Sequence, residues 1–165
     1  MDERLVSAAG GAGGAGGAGG DALEVLDRPT CLRLLGGVDV GRIAWSDGDA
    51  AASPVMVFPL NFALDGEDIV MRTSSAVVCS EVTANHHLTF QADDFEPAVR
   101  SGWTVLASGA VEEITAPDDL ERLSGLVHPW RGESNLRLLR LQIDSVTGRR
   151  LRARPGAIEN IRIGA

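Results

Sequence analysis

The stretch that most constrains this chain is Pro54 to Ser75, PVMVFPLNFALDGEDIVMRTSS. It reads as two strands joined by a tight turn at Asp65-Gly66, because Asp-Gly between alternating apolar residues is a strong hairpin signal whose central positions call for positive φ. Val55, Val57, Phe62 and Leu64 supply the apolar positions before the turn, and Ile69 and Met71 those after it. The second strand ends in Arg72-Thr73-Ser74-Ser75, one guanidinium and three hydroxyls at a strand-to-helix junction. Backbone N–H groups, hydroxyl donors and a fork-shaped cation are the ingredients of a phosphate cradle.

The rest of the chain surrounds this hairpin with more strand than helix. Asp27-Arg28-Pro29-Thr30 opens a short helix that stops at Gly36-Gly37. Val40 to Trp45 reads as a strand, Ala76 to Ala84 as a helix, and Leu88 to Ala92 as a short strand with Leu88 and Phe90 on one side. Asp93-Asp94-Phe95-Glu96-Pro97 reads as an acidic link, followed by a long strand from Trp103 to Ile114. Trp103, Val105, Ala107, Gly109 and Val111 share one face of that strand by period two. Pro117, Asp118 and Asp119 start a helix, with Pro in the first turn and acids at the positive end of the dipole. Leu136 to Val146 is the last strand, broken by Thr147-Gly148. The expectation is a mainly β protein, an antiparallel barrel of about six strands with helices packed outside it.

Composition narrows the function classes. With 165 residues the chain suits one domain, and residues 1–20, which carry four Ala-Gly-Gly repeats, read as a flexible, disordered tail before a folded domain over 21–165. A net charge of −8 argues against nucleic acid as a partner. No apolar run approaches a membrane span and the N-terminus lacks signal-peptide order, so a cytoplasmic protein is expected. All 15 basic residues are Arg, leaving no lysine ammonium for a Schiff base or a phosphate contact. Cys31 and Cys79 read as buried thiols. His86 and His87 would point to opposite faces of a strand, His128 is isolated, and no metal motif appears. Asp93, Asp94 and Glu96 read as a solvated loop.

Four blocks, CLRLLGGVDVGRIAW, VFPLNFALDGEDIVMRTSS, ADDFEPAVRSGW and VTGRRL, occur in the order found in the split-barrel flavin-binding superfamily. Over about residues 25–152 the chain resembles the pyridoxamine 5′-phosphate oxidase-like proteins of actinobacteria. The resemblance implies a six-stranded antiparallel split barrel that dimerises, with FMN held across the interface, and an oxidoreductase acting on a small molecule. The same barrel accepts FMN, a deazaflavin or haem in relatives, so a deazaflavin-dependent reductase is an alternative. A non-catalytic, cofactor-less dimer acting through a partner is the other.

Residue by residue, the resemblance places the flavin phosphate at Arg72, Thr73, Ser74 and Ser75. The segment should continue small and basic, whereas this chain has Ala76-Val77-Val78-Cys79. Losing two charged hydrogen bonds of roughly 1.5–3 kcal/mol each would weaken phosphate binding ~10²- to 10⁴-fold. Val78→Arg is expected to restore part of this, and Arg131 is the candidate replacement cation. The resemblance runs Pro59 and Asn61 along the flavin ring, and sets Trp103 and Thr104 where a strand side chain faces it. Trp130 either anchors a loop or covers the neighbouring subunit's site. Read without the family, Arg72 caps a sheet edge, Thr73 and Ser74 are N-caps, Pro59 marks an edge or bulge, and Trp103 belongs to the core.

Overall fold

The computed structural model describes residues 23–46, 54–85, 87–128 and 135–152. Seven strands and three helices follow the chain as β1 (Glu24–Leu26), α1 (Arg28–Leu35), β2 (Val40–Ser46), β3 (Val55–Asp65), β4 (Asp68–Thr73), α2 (Ala76–Asn85), β5 (His87–Glu96), β6 (Ser101–Glu113), α3 (Pro117–Ser124) and β7 (Arg137–Leu151). The sheet order is β1-β7-β4-β3-β2-β5-β6, and β6 pairs back onto β7. Six antiparallel strands therefore close into a barrel, with β1 a short addition on β7. Closure gives each of the six strands a neighbour on both sides, although residues 55–60 of β3 run past the end of β4. The Ala-Gly-Gly repeats lie outside the described residues.

The hairpin forms with its turn one residue later than expected. Asp65 and Asp68 pair, so Gly66 and Glu67 are the central residues. Gly66 has φ +65° and Glu67 is not among the residues of positive φ. A single positive φ at the first central position is the II′ pattern, which needs Gly only there.

Period-two alternation sorts the barrel into two faces. Ile43, Phe62, Ile69, Met71, Phe90, Val105, Ala107, Leu139 and Leu141 point inward and are buried. Phe62 and Phe90 meet edge to face, with ring centroids 4.7 Å apart. Cys31 and Leu35 of α1 and Val78 and Val82 of α2 join the same core. Val70 and Leu138, of opposite parity, point outward and are covered by α3 and its following turn through Leu123 and Val127. Arg122 of α3 donates to both Asp65 carboxylate oxygens at 2.8 Å, fastening the helix to the hairpin.

Beyond the unanticipated β1 and shifts of a residue or two elsewhere, two boundaries differ from the sequence reading. Asp93 to Glu96 belong to β5, because β6 supplies a partner for each, from Asp93↔Thr104 to Glu96↔Ser101. Thr147-Gly148 does not break β7, which runs on to Leu151. Gly148 is there for close approach, since a Cβ would lie 2.6 Å from the Cys31 Sγ and 3.1 Å from Leu26. No helix among the described residues is long and apolar enough to cross a membrane.

Candidate functional site

The β4–α2 junction is built by local hydrogen bonds. Thr73, at the inward-facing end of β4, is buried, and its hydroxyl accepts from the Ser75 N–H at 3.0 Å. The Ser75 hydroxyl accepts from the Val78 N–H at 3.3 Å, the bond expected of an N-cap residue. Ser74 stays exposed between them. A hydroxyl that accepts from a backbone N–H keeps its own O–H to donate, so the donor set still suits an anionic oxygen.

The helix face that follows corrects one expectation. Val78 is 0% exposed inside the main core, whereas Val77 is 55% exposed. An arginine at position 78 would enter the core rather than restore a cation at the surface. Cys79 is buried as well, and burial pushes its thiol pKa up, opposed in part by Arg137.

Arg72 leaves the other face of β4, opposite Asn61 on β3 and Leu138 on β7. Its Nη1 donates to the carbonyl oxygens of Ser124 at 3.2 Å and Val127 at 3.3 Å. The Ser124 carbonyl ends α3 and that of Val127 lies in the turn after it, where a cation also meets the negative end of the helix dipole. Its Nε is buried without a hydrogen-bond partner. Arg72 thus ties down a helix end, rather than capping a sheet edge in solvent.

The ring residues divide between the two faces. Pro59 pairs with Arg42 in unbroken register, on a part of β3 that β4 does not reach, so it sits on a strand edge and not at a bulge. Asn61 donates to the Asp39 carbonyl at 3.3 Å. Arg42 Nη1 donates to Gln91 Oε1 at 3.1 Å and to Asp93 Oδ1 at 3.4 Å. Gln91 Nε2 bonds Asp93 and reaches Thr104 Oγ1 at 3.3 Å. Pro59, Asn61, Arg72 and Thr104 therefore share the outer face, with Arg42, Gln91 and Asp93 linking Pro59 to Thr104.

Trp103 points the other way. It packs against the core and lines a concavity of about 360 Å³ with Asp94, Glu96, Arg150 and Arg152. Along β7, Trp103 pairs with Arg150 and Arg72 with Leu138. That separation is roughly 40 Å of strand path at ~3.3 Å per residue. Trp130 and Arg131 lie outside the described residues, as does His86. No group of three or more metal-ligating side chains occurs among the described residues.

Sequence reading missed Arg42, Gln91 and Arg137, and took Asp93 for part of a solvated loop. Arg42, between buried Gly41 and Ile43, and Gln91, between buried Phe90 and Ala92, had a usable signal in that alternation, which points both outward; Asp93 extends the alternation by one residue beyond buried Ala92. Arg137 had none, because only the β4–β7 register sets it opposite Thr73.

Comparison with known proteins agrees with this architecture. A family model described as pyridoxamine 5′-phosphate oxidase matches residues 27–150. The uncharacterized protein Rv0080 of Mycobacterium tuberculosis is 32% identical over 131 residues, covering 76% of this chain and 84% of that one. A candidate pyridoxamine 5′-phosphate oxidase from Corynebacterium glutamicum superposes with TM-score 0.67 at 23% identity, over 84% of this chain and 100% of that one. An FAD-binding protein from Mycobacterium smegmatis superposes with TM-score 0.63 at 26% identity, over 78% of this chain and 98% of that one.

Proposed function

The chain belongs to the pyridoxamine 5′-phosphate oxidase family of split barrels, and from that premise we propose that it is a flavin-binding homodimer serving an oxidoreductase reaction on a small molecule in the cytoplasm. FMN is the candidate flavin. The observation that carries this reading is the outer face of β2, β3, β5 and β6, where apolar side chains stay exposed. Val55 and Val57 are 67% and 56% exposed there, beside exposed Pro59 and Leu106 and the Arg42–Gln91–Asp93–Thr104 network. Exposed apolar side chains rimming an ordered polar network suit a covered surface, a ligand or a second subunit. The other outer surface, on β4 and β7, already carries α3.

The junction residues Thr73, Ser74 and Ser75 would take the anionic end of the cofactor, while Pro59, Asn61 and Thr104 would border its ring. Trp103 opens on a different part of the barrel, so it reaches the same flavin only if the partner subunit presents it. A bound flavin supplies the electron or hydride transfer, and this chain's part is binding, orientation and exclusion of water. The M. smegmatis structure is described as FAD-binding, which makes FAD the flavin to compare with FMN.

A second reading has specific support. Buried Val78, buried Cys79 and the commitment of Arg72 to α3 all subtract from the phosphate site, as expected of a cofactor-less dimer that works through a partner. Titrating the protein into FMN, FAD and a deazaflavin, and following the loss of cofactor fluorescence, separates the two. Saturable quenching at micromolar protein supports flavin binding. No quenching of any of the three favours the cofactor-less dimer.

A further inference from the structure

The phosphate end of the proposed site lacks a cation where the sequence pattern looks for one, and the fold supplies another from a distant part of the chain. Thr73 and Arg137 are directly paired across β4 and β7. Paired residues of adjacent strands leave the sheet on the same side, their Cβ atoms ~5 Å apart. The Arg137 side chain therefore emerges beside buried Thr73, at the end of the barrel that α2 closes. There it lies near Cys79, in the first turn of α2, and its positive charge lowers the thiol pKa that burial raises. Its Nη1 also meets Glu113 Oε2 at 3.4 Å.

With Val78 in the core and Arg72 held by the Ser124 and Val127 carbonyls, Arg137 is the guanidinium that the strand register sets beside Thr73 at the junction. We propose that Arg137 binds the phosphate of a flavin mononucleotide at Thr73, Ser74 and Ser75, replacing in space the basic residue missing from α2. This deepens the flavin reading and rests on it.

The chemistry favours an exchange of partners. The Arg137 side chain is 55% exposed, and its contact to Glu113 is long and single rather than bidentate. Such an ion pair holds the guanidinium weakly in water. A phosphate dianion offers more charge and three acceptor oxygens, and a guanidinium has five N–H donors in a fork that matches it. Glu113 then parks the side chain near the junction until the anion arrives. Arg72 does other work, holding the turn after α3 from the outer face.

The test compares FMN with riboflavin, which lacks the phosphate, by fluorescence quenching on the full chain. Arg137→Ala should weaken FMN roughly ten- to a hundredfold, the loss of one charged hydrogen bond, and leave riboflavin unchanged. Arg137→Lys should recover part of the loss, and Glu113→Gln should keep or tighten FMN binding. Inorganic phosphate should raise the thermal midpoint of the wild type and not that of Arg137→Ala. A merely structural role would weaken FMN and riboflavin alike, and that result overturns the proposal, as does unchanged FMN affinity in Arg137→Ala. Should the wild type bind neither FMN nor riboflavin, the underlying flavin reading falls as well.

Discussion

Adjacent valines on α2 make the sharpest test of how the helix sits on the barrel. From the sequence, arginine at position 78 looks like a repair of the anion site. In the structure it is a core substitution, because Val78 is fully buried among the residues that fill the barrel. Removing a buried valine costs roughly 1.5–3 kcal/mol of apolar burial. An unpaired guanidinium forced into the same space adds several kcal/mol more. Together these reach roughly 5 kcal/mol or more, against a total of ~5–15 kcal/mol for a domain. Val77 is exposed on the second helical position. Arginine there should cost at most ~1 kcal/mol, mainly from placing a cation at the positive end of the helix. With a urea slope of ~1–3 kcal/mol/M, Val78→Arg should lose ~2 M or more of its unfolding midpoint or fail to fold. Val77→Arg should move by under about 1 M and should tighten FMN binding. A Val78→Arg protein with an unchanged midpoint would refute the placement of α2.

Three further perturbations probe other parts of the fold. Gly148→Ala sets a Cβ against the Cys31 sulfur and should cost ~1–3 kcal/mol. A melting series that includes Gly148→Ala/Cys31→Ala should show much of that loss relieved, whereas additive effects would contradict the contact. The Arg122 hydrogen bonds hold the Asp65 carboxyl below its ordinary pKa despite partial burial. Because this folded-state pKa is depressed, the stability it contributes is present above the unfolded value of about 3.9 and is lost as pH falls through the folded value. Asp65→Asn should therefore be less stable at pH 7 and show a shallower decline between about pH 5 and 2, read from urea midpoints; parallel profiles would contradict the pairing. Finally, Arg72→Ala should speed amide hydrogen exchange around residues 120–127 before any ligand is added, by freeing the Ser124 and Val127 carbonyls. Unchanged exchange would show that the capping bonds carry no weight.

Much of the fold was legible because its elements announce themselves locally. Asp27 and Pro29 start α1, Pro117 with two acids starts α3, and the Leu88/Phe90 and Val105/Ala107 alternations mark two strands. The misreadings have a common physical cause. The acidic segment 93–96 looks like loop until β6 pairs with it, and Gly148 looks like a break until α1 is found packed on it. Both depend on neighbours distant in sequence. The candidate site was legible only in its hydroxyls and its outer-face strand. Arg72 carries the right charge in the right segment, but its direction is set by α3, fifty residues later. Val77 and Val78 are indistinguishable in sequence until the helix acquires a buried side. Arg137 is visible only through strand register.

Native mass spectrometry of the protein after incubation with FMN tests flavin binding and pairing together. The expected spectrum holds two chains of 17.3 kDa each with two bound flavins, and the flavin-bearing species should outlast dilution to micromolar concentration. A monomer without flavin at that concentration would contradict both the homodimer and the cofactor site on its outer face.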